Sequence, residues 1–277
     1  MDIPEVTVLG DGPAVLLPIS VAVIEGETAE LMRAWGADPD AGHTLATGLV
    51  DAGFRVVAAD YTAHLEQHPK PDTLDADAVA ADLLAIADAA GVERFVYYGY
   101  SLLAVAGLQL ALRTDRLTGL ALGGFPPLGG PYEAMLTVTR AAHRMALARH
   151  ALGADAPPPP ELEPGDWDAS EVTQSPEQTQ QYLTLYESLC GFDERAALDR
   201  LDIPRLAFAG ADDNIRYGEK WDNAYVAIGE ALVKHRAELV ERGWTVQVLP
   251  DTDHIGAMHG SRVLPILTGW LAATVKR

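Results

Sequence analysis

The stretch Phe95-Val-Tyr-Tyr-Gly-Tyr-Ser-Leu-Leu-Ala104 constrains the fold more than any other part of the chain. Phe95 to Tyr98, β-branched and aromatic, predict a strand. Gly99-Tyr100-Ser101 follows, and then an apolar run from Leu102 to Leu112 that predicts a buried helix. A strand that passes into a helix through one residue leaves that residue at the apex of a sharp turn. Ser101 at such an apex has an exposed Oγ and the positive end of a helix dipole behind it. A serine hydroxyl is a weak nucleophile until a base takes its proton, so the pattern asks for a base elsewhere in the chain.

Two later strand-like runs supply candidates. Arg205-Leu-Ala-Phe-Ala209 leads into Gly210-Ala-Asp-Asp213, and Trp244-Thr-Val-Gln-Val-Leu249 leads into Pro250-Asp-Thr-Asp-His254. Serine, aspartate and histidine therefore occur in that order, each just past a predicted strand. Open parallel sheets place their sites at the carboxyl ends of the strands, so all three would converge on one edge.

With these residues in view the chain resembles the α/β-hydrolase fold superfamily, of the serine hydrolase type, over nearly its whole length. Gly99-Tyr-Ser101 stands where that family has its nucleophile elbow, Asp213 where it has its acid, and His254 where it has its base. The resemblance implies a catalytic triad of Ser101, His254 and Asp213 working without metal or cofactor. Asp212 competes for the acid position; Asp213 is preferred because the family's acid lies three past the glycine. Asp253 reads as a surface or turn residue. Epoxide and haloalkane hydrolysis are disfavoured, because they use a carboxylate nucleophile where this chain has Ser101.

Two departures from the family pattern stand out. The elbow of the family has a small residue two past the serine, where this chain has Leu103, and a leucine there is expected to push the helix outward. The family also has a His-Gly pair after the strand that contributes to the oxyanion hole. Here Ala14-Val-Leu-Leu17 runs into Pro18-Ile-Ser20, and Pro18 has no N–H to donate. The first oxyanion donor then falls to Ile19 or Ser20, with the N–H of Leu102 as the second. Losing one such donor costs about 100- to 1,000-fold in rate.

Strands alternating with helices predict a mostly parallel central sheet covered on both faces. Strands are expected at Glu5–Leu9, Ala14–Leu17, Phe54–Ala59 and Thr118–Leu122, and helices at Thr44–Ala52 and Asp72–Ala90, the latter ending at Gly91. Residues 125–195 break the alternation with helical material, from about Pro131 to Ala151 and from about Ser175 to Leu189, separated by the tetraproline Pro157–Pro160. By resemblance this is a lid or cap inserted into a core of residues 1–124 and 196–277. Tyr100, Phe125, Tyr132, Met135, Trp167, Tyr182 and Tyr186 are candidates to line an acyl or alcohol pocket, against the plainer reading that each only packs.

Composition closes off other functions. A net charge of −20 disfavours nucleic acid and anionic membrane surfaces. The single cysteine, Cys190, allows no internal disulfide and reads as a lid or core thiol. With no secretion signal at Met1–Glu5 and no apolar run long enough for a bilayer, a cytoplasmic protein is expected. Its partner is expected to be a small acyl substrate, and a homodimer is compatible with the sequence. His64 and His68 have a helical metal-ligand spacing, but Pro69 argues for a loop there; His43, His143, His150 and His235 read as exposed helix residues, and His259 as facing away from His254. Three activities share these residues: a hydrolase of carboxylic esters, thioesters or lactones; an acyltransferase; and a catalytically silent binding protein built on the same fold.

Overall fold

The computed structural model describes residues 3–153, 166–167 and 170–275. The tetraproline at 157–160 lies outside these residues.

Seven strands form one sheet: β1 (Thr7–Leu9), β2 (Ala14–Leu17), β3 (Arg55–Ala58), β4 (Phe95–Tyr100), β5 (Leu117–Gly123), β6 (Arg205–Gly210) and, last in the chain, β9 (Trp244–Leu249). Their spatial order is β1-β3-β2-β4-β5-β6-β9, and every pairing is parallel except β1 with β3. The inner strands are buried on both sides, which is why they read as near-continuous apolar runs. Alternate residues serve opposite faces. Leu16, Val57, Phe95, Tyr97, Leu120, Leu122 and Ala207 belong to one apolar cluster, with α4 (Ala76–Ala89), α5 (Leu102–Ala111) and α9 (Gly229–Glu241). Val15, Leu17, Val56, Val96, Tyr98, Ala121 and Phe208 belong to the other, with α2 (Ala41–Asp51) and α10 (Gly260–Thr274). The expected helices on both faces are therefore present.

Among the described residues three α-helices stand between β5 and β6: α6 (Tyr132–Leu152), α7 (Pro176–Ser188) and α8 (Glu194–Leu198). The last runs across the expected boundary at residue 195. α7 begins with a reciprocal cap between Ser175 and Gln178. It is fastened to the core by side chain–backbone bonds. The buried Gln181 donates to the Leu65 carbonyl at 3.0 Å and accepts from the Lys70 N–H at 3.1 Å; Gln178 donates to Glu66 O at 2.7 Å, and Thr184 to Pro71 O at 2.6 Å. Glu194 of α8 accepts from the N–H groups of Gly129 and Gly130, each at 2.7 Å, and so holds the turn before α6.

Several elements depart from expectation. α1 (Gly26–Ala34) and α3 (Tyr61–Gln67) occupy segments with no helix expected, and a two-stranded ribbon joins β7 (Asn214–Arg216) to β8 (Tyr225–Ala227). α3 starts because the Asp60 carboxylate accepts from the Ala63 N–H at 3.0 Å, and it ends at His68, ahead of Pro69. His64 is thus helical and only 8 % exposed, not a loop histidine. Its ring lies 4.9 Å from that of His68, yet among the described residues no three His, Cys, Asp or Glu side chains group to hold a metal. His143 and His235 are half-buried, whereas His43 and His150 are exposed as expected. Cys190 is an exposed thiol at the end of α7, not a core one. No described helix is long and apolar enough to cross a membrane.

Candidate active site

The order β3-β2-β4 reverses the direction of chain winding between β2 and β4, so a crevice opens at the carboxyl ends of these strands. Ser101 sits there, between β4 and α5, with φ 56° and ψ −120°. A side-chain-bearing residue in this region costs on the order of 1–3 kcal/mol and persists only where its surroundings hold it. Here the Ser101 N–H donates to Gly123 O at 2.8 Å, continuing the β4–β5 ladder through the turn.

Leu103 does not push the helix outward. Its side chain is buried in the core, and its carbonyl accepts from the Tyr97 hydroxyl at 2.7 Å. The close approach of helix and strand is supplied by Gly99 instead, where an added Cβ would lie 2.2 Å from the Leu103 carbonyl oxygen. Because that neighbour is backbone, it cannot swing aside for the methyl of Gly99→Ala, and the Tyr97 ring lies within 2.8 Å as well. The variant should lose about 2 kcal/mol or more of stability, read as a fall in the midpoint of a denaturant titration.

The loops after β6 and β9 are zipped together. Ala211 N donates to Leu249 O at 2.8 Å and Asp212 N to Thr252 O at 3.0 Å. Gly210 permits this contact, since a Cβ there would meet Thr252 O at 2.0 Å. Thr252 is itself pinned, donating to Pro250 O and accepting from Arg262, each at 2.7 Å. These bonds place the Asp213 carboxylate against the imidazole of His254: Nδ1 lies 2.9 Å from both carboxylate oxygens, and Nε2 lies 3.1 Å from Ser101 Oγ. Asp213 is 1 % exposed. Burial pushes its carboxyl above the usual range, while the bond from His254 pulls the other way. Asp212 is exposed and makes no hydrogen bond to His254, and Asp253 is an exposed turn residue accepting from Gly256 N at 2.7 Å. His259 turns away, its Nε2 on Gly36 O at 2.7 Å.

With Asp213 ionised, Nδ1 carries the proton and donates to it. Nε2 is then the acceptor of the serine hydroxyl. Around this line of three, the N–H groups of Ile19 and Leu102 have no hydrogen-bond partner among the described residues, at the ends of the adjacent strands β2 and β4. The Ser20 N–H likewise has no hydrogen-bond partner among the described residues, and its hydroxyl accepts from Ala22 N at 3.4 Å.

The remaining candidates separate into groups. Tyr100 does not face a ligand with its hydroxyl, which donates to the His254 carbonyl at 2.7 Å; its ring lies 5.1 Å from the imidazole. It holds the histidine loop. Tyr132, Met135 and Leu102, the residue after the serine, pack against one small cluster of Leu136, Leu183 and Tyr186, and Phe125 meets Tyr132 edge-on at 5.0 Å. Tyr182 is half-buried on the core, its hydroxyl pushed up to about 12 by burial. Trp167 stands edge-on to His254 at 6.4 Å and to Trp35 at 6.2 Å. Trp35, which meets Trp167 beside the histidine, was not legible from the sequence, since no motif surrounds it.

Solved structures with the same architecture decide the family of fold. MenH from S. aureus superposes with a TM-score of 0.62 at 17% identity, covering 97% of this chain and 98% of that one. The enol-lactonase from Burkholderia xenovorans LB400 gives 0.59 at 16% identity, covering 97% and 96%. The chain has the α/β-hydrolase fold. An esterase from Thermogutta terrifontis shares the α/β-hydrolase fold too, with a TM-score of 0.58 at 17% identity over 97% of this chain and 93% of that one. No family model matches the sequence, and no curated relative matches it. At such identities the α/β-hydrolase assignment concerns the fold, and the chemistry rests on the residues above.

Proposed function

We propose that the protein is a cofactor-independent serine hydrolase that cleaves a small carboxylic ester, thioester or lactone. One observation carries this reading: a single imidazole bridges Ser101 Oγ and the buried Asp213 carboxylate. Ser101 Oγ attacks the acyl carbon as its proton passes to His254 Nε2, and the carbonyl oxygen becomes an oxyanion beside the N–H groups of Leu102 and Ile19. His254 then returns the proton to the leaving alcohol, thiol or ring oxygen, leaving the acyl group on Ser101. Water, deprotonated by the same nitrogen, attacks the acyl-enzyme, and His254 returns that proton to Ser101 Oγ as the ester bond breaks and the acid leaves.

The missing donor at Pro18 is the ground for a silent binding protein. The unpaired Ile19 N–H, one residue on, speaks for a working hole instead. The helices α6 to α8 act as the lid over the site, and α7, fastened by Gln181, Gln178 and Thr184, is its fixed part.

Rapid mixing with p-nitrophenyl acetate tests the reading. It expects a burst of about one equivalent of p-nitrophenol per chain, followed by slower turnover, because acylation and deacylation are separate steps. Well-folded protein that releases no p-nitrophenol above buffer would support the silent alternative. A burst whose second phase is accelerated by added alcohol more than by water activity alone would favour acyl transfer.

A further inference from the structure

We infer that an apolar hollow beside His254 binds the alcohol portion of the substrate, so that the enzyme takes neutral esters of apolar alkyl or aryl alcohols. This inference rests on the triad reading above and extends it to substrate class. The hollow has a volume of about 370 Å³, within the range of small-molecule sites, and is lined by Leu31, Met32, Trp35, Trp167, Ile255 and Met258. No lining side chain carries a charge or a hydrogen-bonding group other than the two indoles, so a charged group placed there would lose its water without compensation.

Its position relative to the chemistry identifies the occupant. Trp167 forms a wall of the hollow and stands edge-on to the His254 imidazole at 6.4 Å; Ile255 is the next residue in the chain. His254 Nε2 must reach the leaving oxygen to protonate it, so the alcohol portion of an ester lies on the histidine side of the scissile bond. A group attached to that oxygen has this hollow beside it.

The hollow is also preformed. Another wall is α1, of which only Ala29 is buried, while Leu31 is 61 % exposed. A nine-residue helix with one buried residue contributes little to the core. It is nevertheless held in place: His259 Nε2 bonds Gly36 O at 2.7 Å, and Gly260 N donates to the Asp38 carboxylate at 2.9 Å. These bonds join the segment after α1 to the segment after His254, so α1 and the wall of Ile255 and Met258 are tied to each other without ligand. An exposed apolar wall fixed at the mouth of a site is what an apolar ligand would cover.

The test compares acetate esters that differ only in the alcohol, together with tryptophan fluorescence during titration with 1-hexanol. The parent should hydrolyse hexyl acetate with a kcat/KM at least about tenfold above that for ethyl acetate, given what a few methylenes contribute in an apolar pocket. Leu31→Glu, at an exposed position that should not disturb folding, should lower this ratio about tenfold or more and abolish the fluorescence response. Val233→Glu, at a residue 54 % exposed on α9 and outside the site, should leave the ratio unchanged. Equal ratios for the parent and Leu31→Glu would overturn the inference. So would a preference that follows acyl length in a p-nitrophenyl ester series and is lost in Leu31→Glu, since the hollow would then hold the acyl group. Self-association removed by Leu31→Glu with no change in ester preference would assign the face to a second copy and overturn it too. If no ester is turned over but 1-hexanol still perturbs the fluorescence in a Leu31-dependent way, the hydrolase reading fails and the alcohol site stands.

Discussion

Ser101→Ala is expected to lower kcat for an activated ester by about 10⁵- to 10⁶-fold, the scale seen when a nucleophile that acts as one unit with its base is removed. Thermal stability stays nearly unchanged, because alanine keeps the Cβ and therefore the same backbone strain at φ 56°. The companion variant Ser101→Gly is equally inactive but differs in stability. Without a Cβ the left-handed conformation costs little, and part of the 1–3 kcal/mol typical of such strain is recovered. A glycine variant that melts above the alanine variant is therefore the expected result. Equal melting temperatures would mean that the elbow stores no strain. The two variants separate the chemical role of Oγ from the structural cost of placing it.

Asp213→Asn is expected to lower kcat by about 10⁴-fold. The carboxylate holds the proton on His254 Nδ1, leaving Nε2 free to accept from Ser101. An asparagine can present its amide N–H to Nδ1, which puts the proton on Nε2 and removes the base from the serine. Stability should hold or rise. Burial already pushes the Asp213 carboxyl upward, so the ionised form is costly to the fold and the neutral amide is not. Asp212→Asn, at the exposed neighbour, changes kcat by less than about twofold, as isolated surface changes do. Steady-state kinetics on the two variants, with circular dichroism to check folding, settles which aspartate acts. A large loss in Asp212→Asn with little in Asp213→Asn would reverse the assignment.

The sheet was legible because its strands are buried on both faces. Ala14–Leu17 and Trp244–Leu249 agree with expectation to the residue, and the helix after Ser101 starts where its apolar run starts. The line Ser101–His254–Asp213 was legible from order and strand register, because a parallel sheet brings its carboxyl ends to one edge. What was not legible lies outside the core. α1 buries only Ala29 and leaves Leu31 exposed, so its periodicity does not mark a core helix. α3 was hidden by Pro69, which ends the helix rather than preventing it. The effect of Leu103 was misjudged for a related reason. The spacing pattern says which residue is small in other chains, whereas the contact here is set by Gly99 against the Leu103 carbonyl, with the Leu103 side chain pointing into the core. Tyr100 reads as an aromatic beside the nucleophile, and only the fold shows its hydroxyl on the His254 carbonyl, 154 residues away in sequence.

Active-site labelling tests the central claim, that Ser101 is a nucleophile activated by His254. Parent protein and His254→Ala are treated with a fluorophosphonate, and adducts are located by intact mass and peptide mapping. One adduct per parent chain, on the peptide carrying Ser101, and none on His254→Ala is the expected outcome. No adduct on folded parent protein, or equal labelling of the histidine variant, would contradict it.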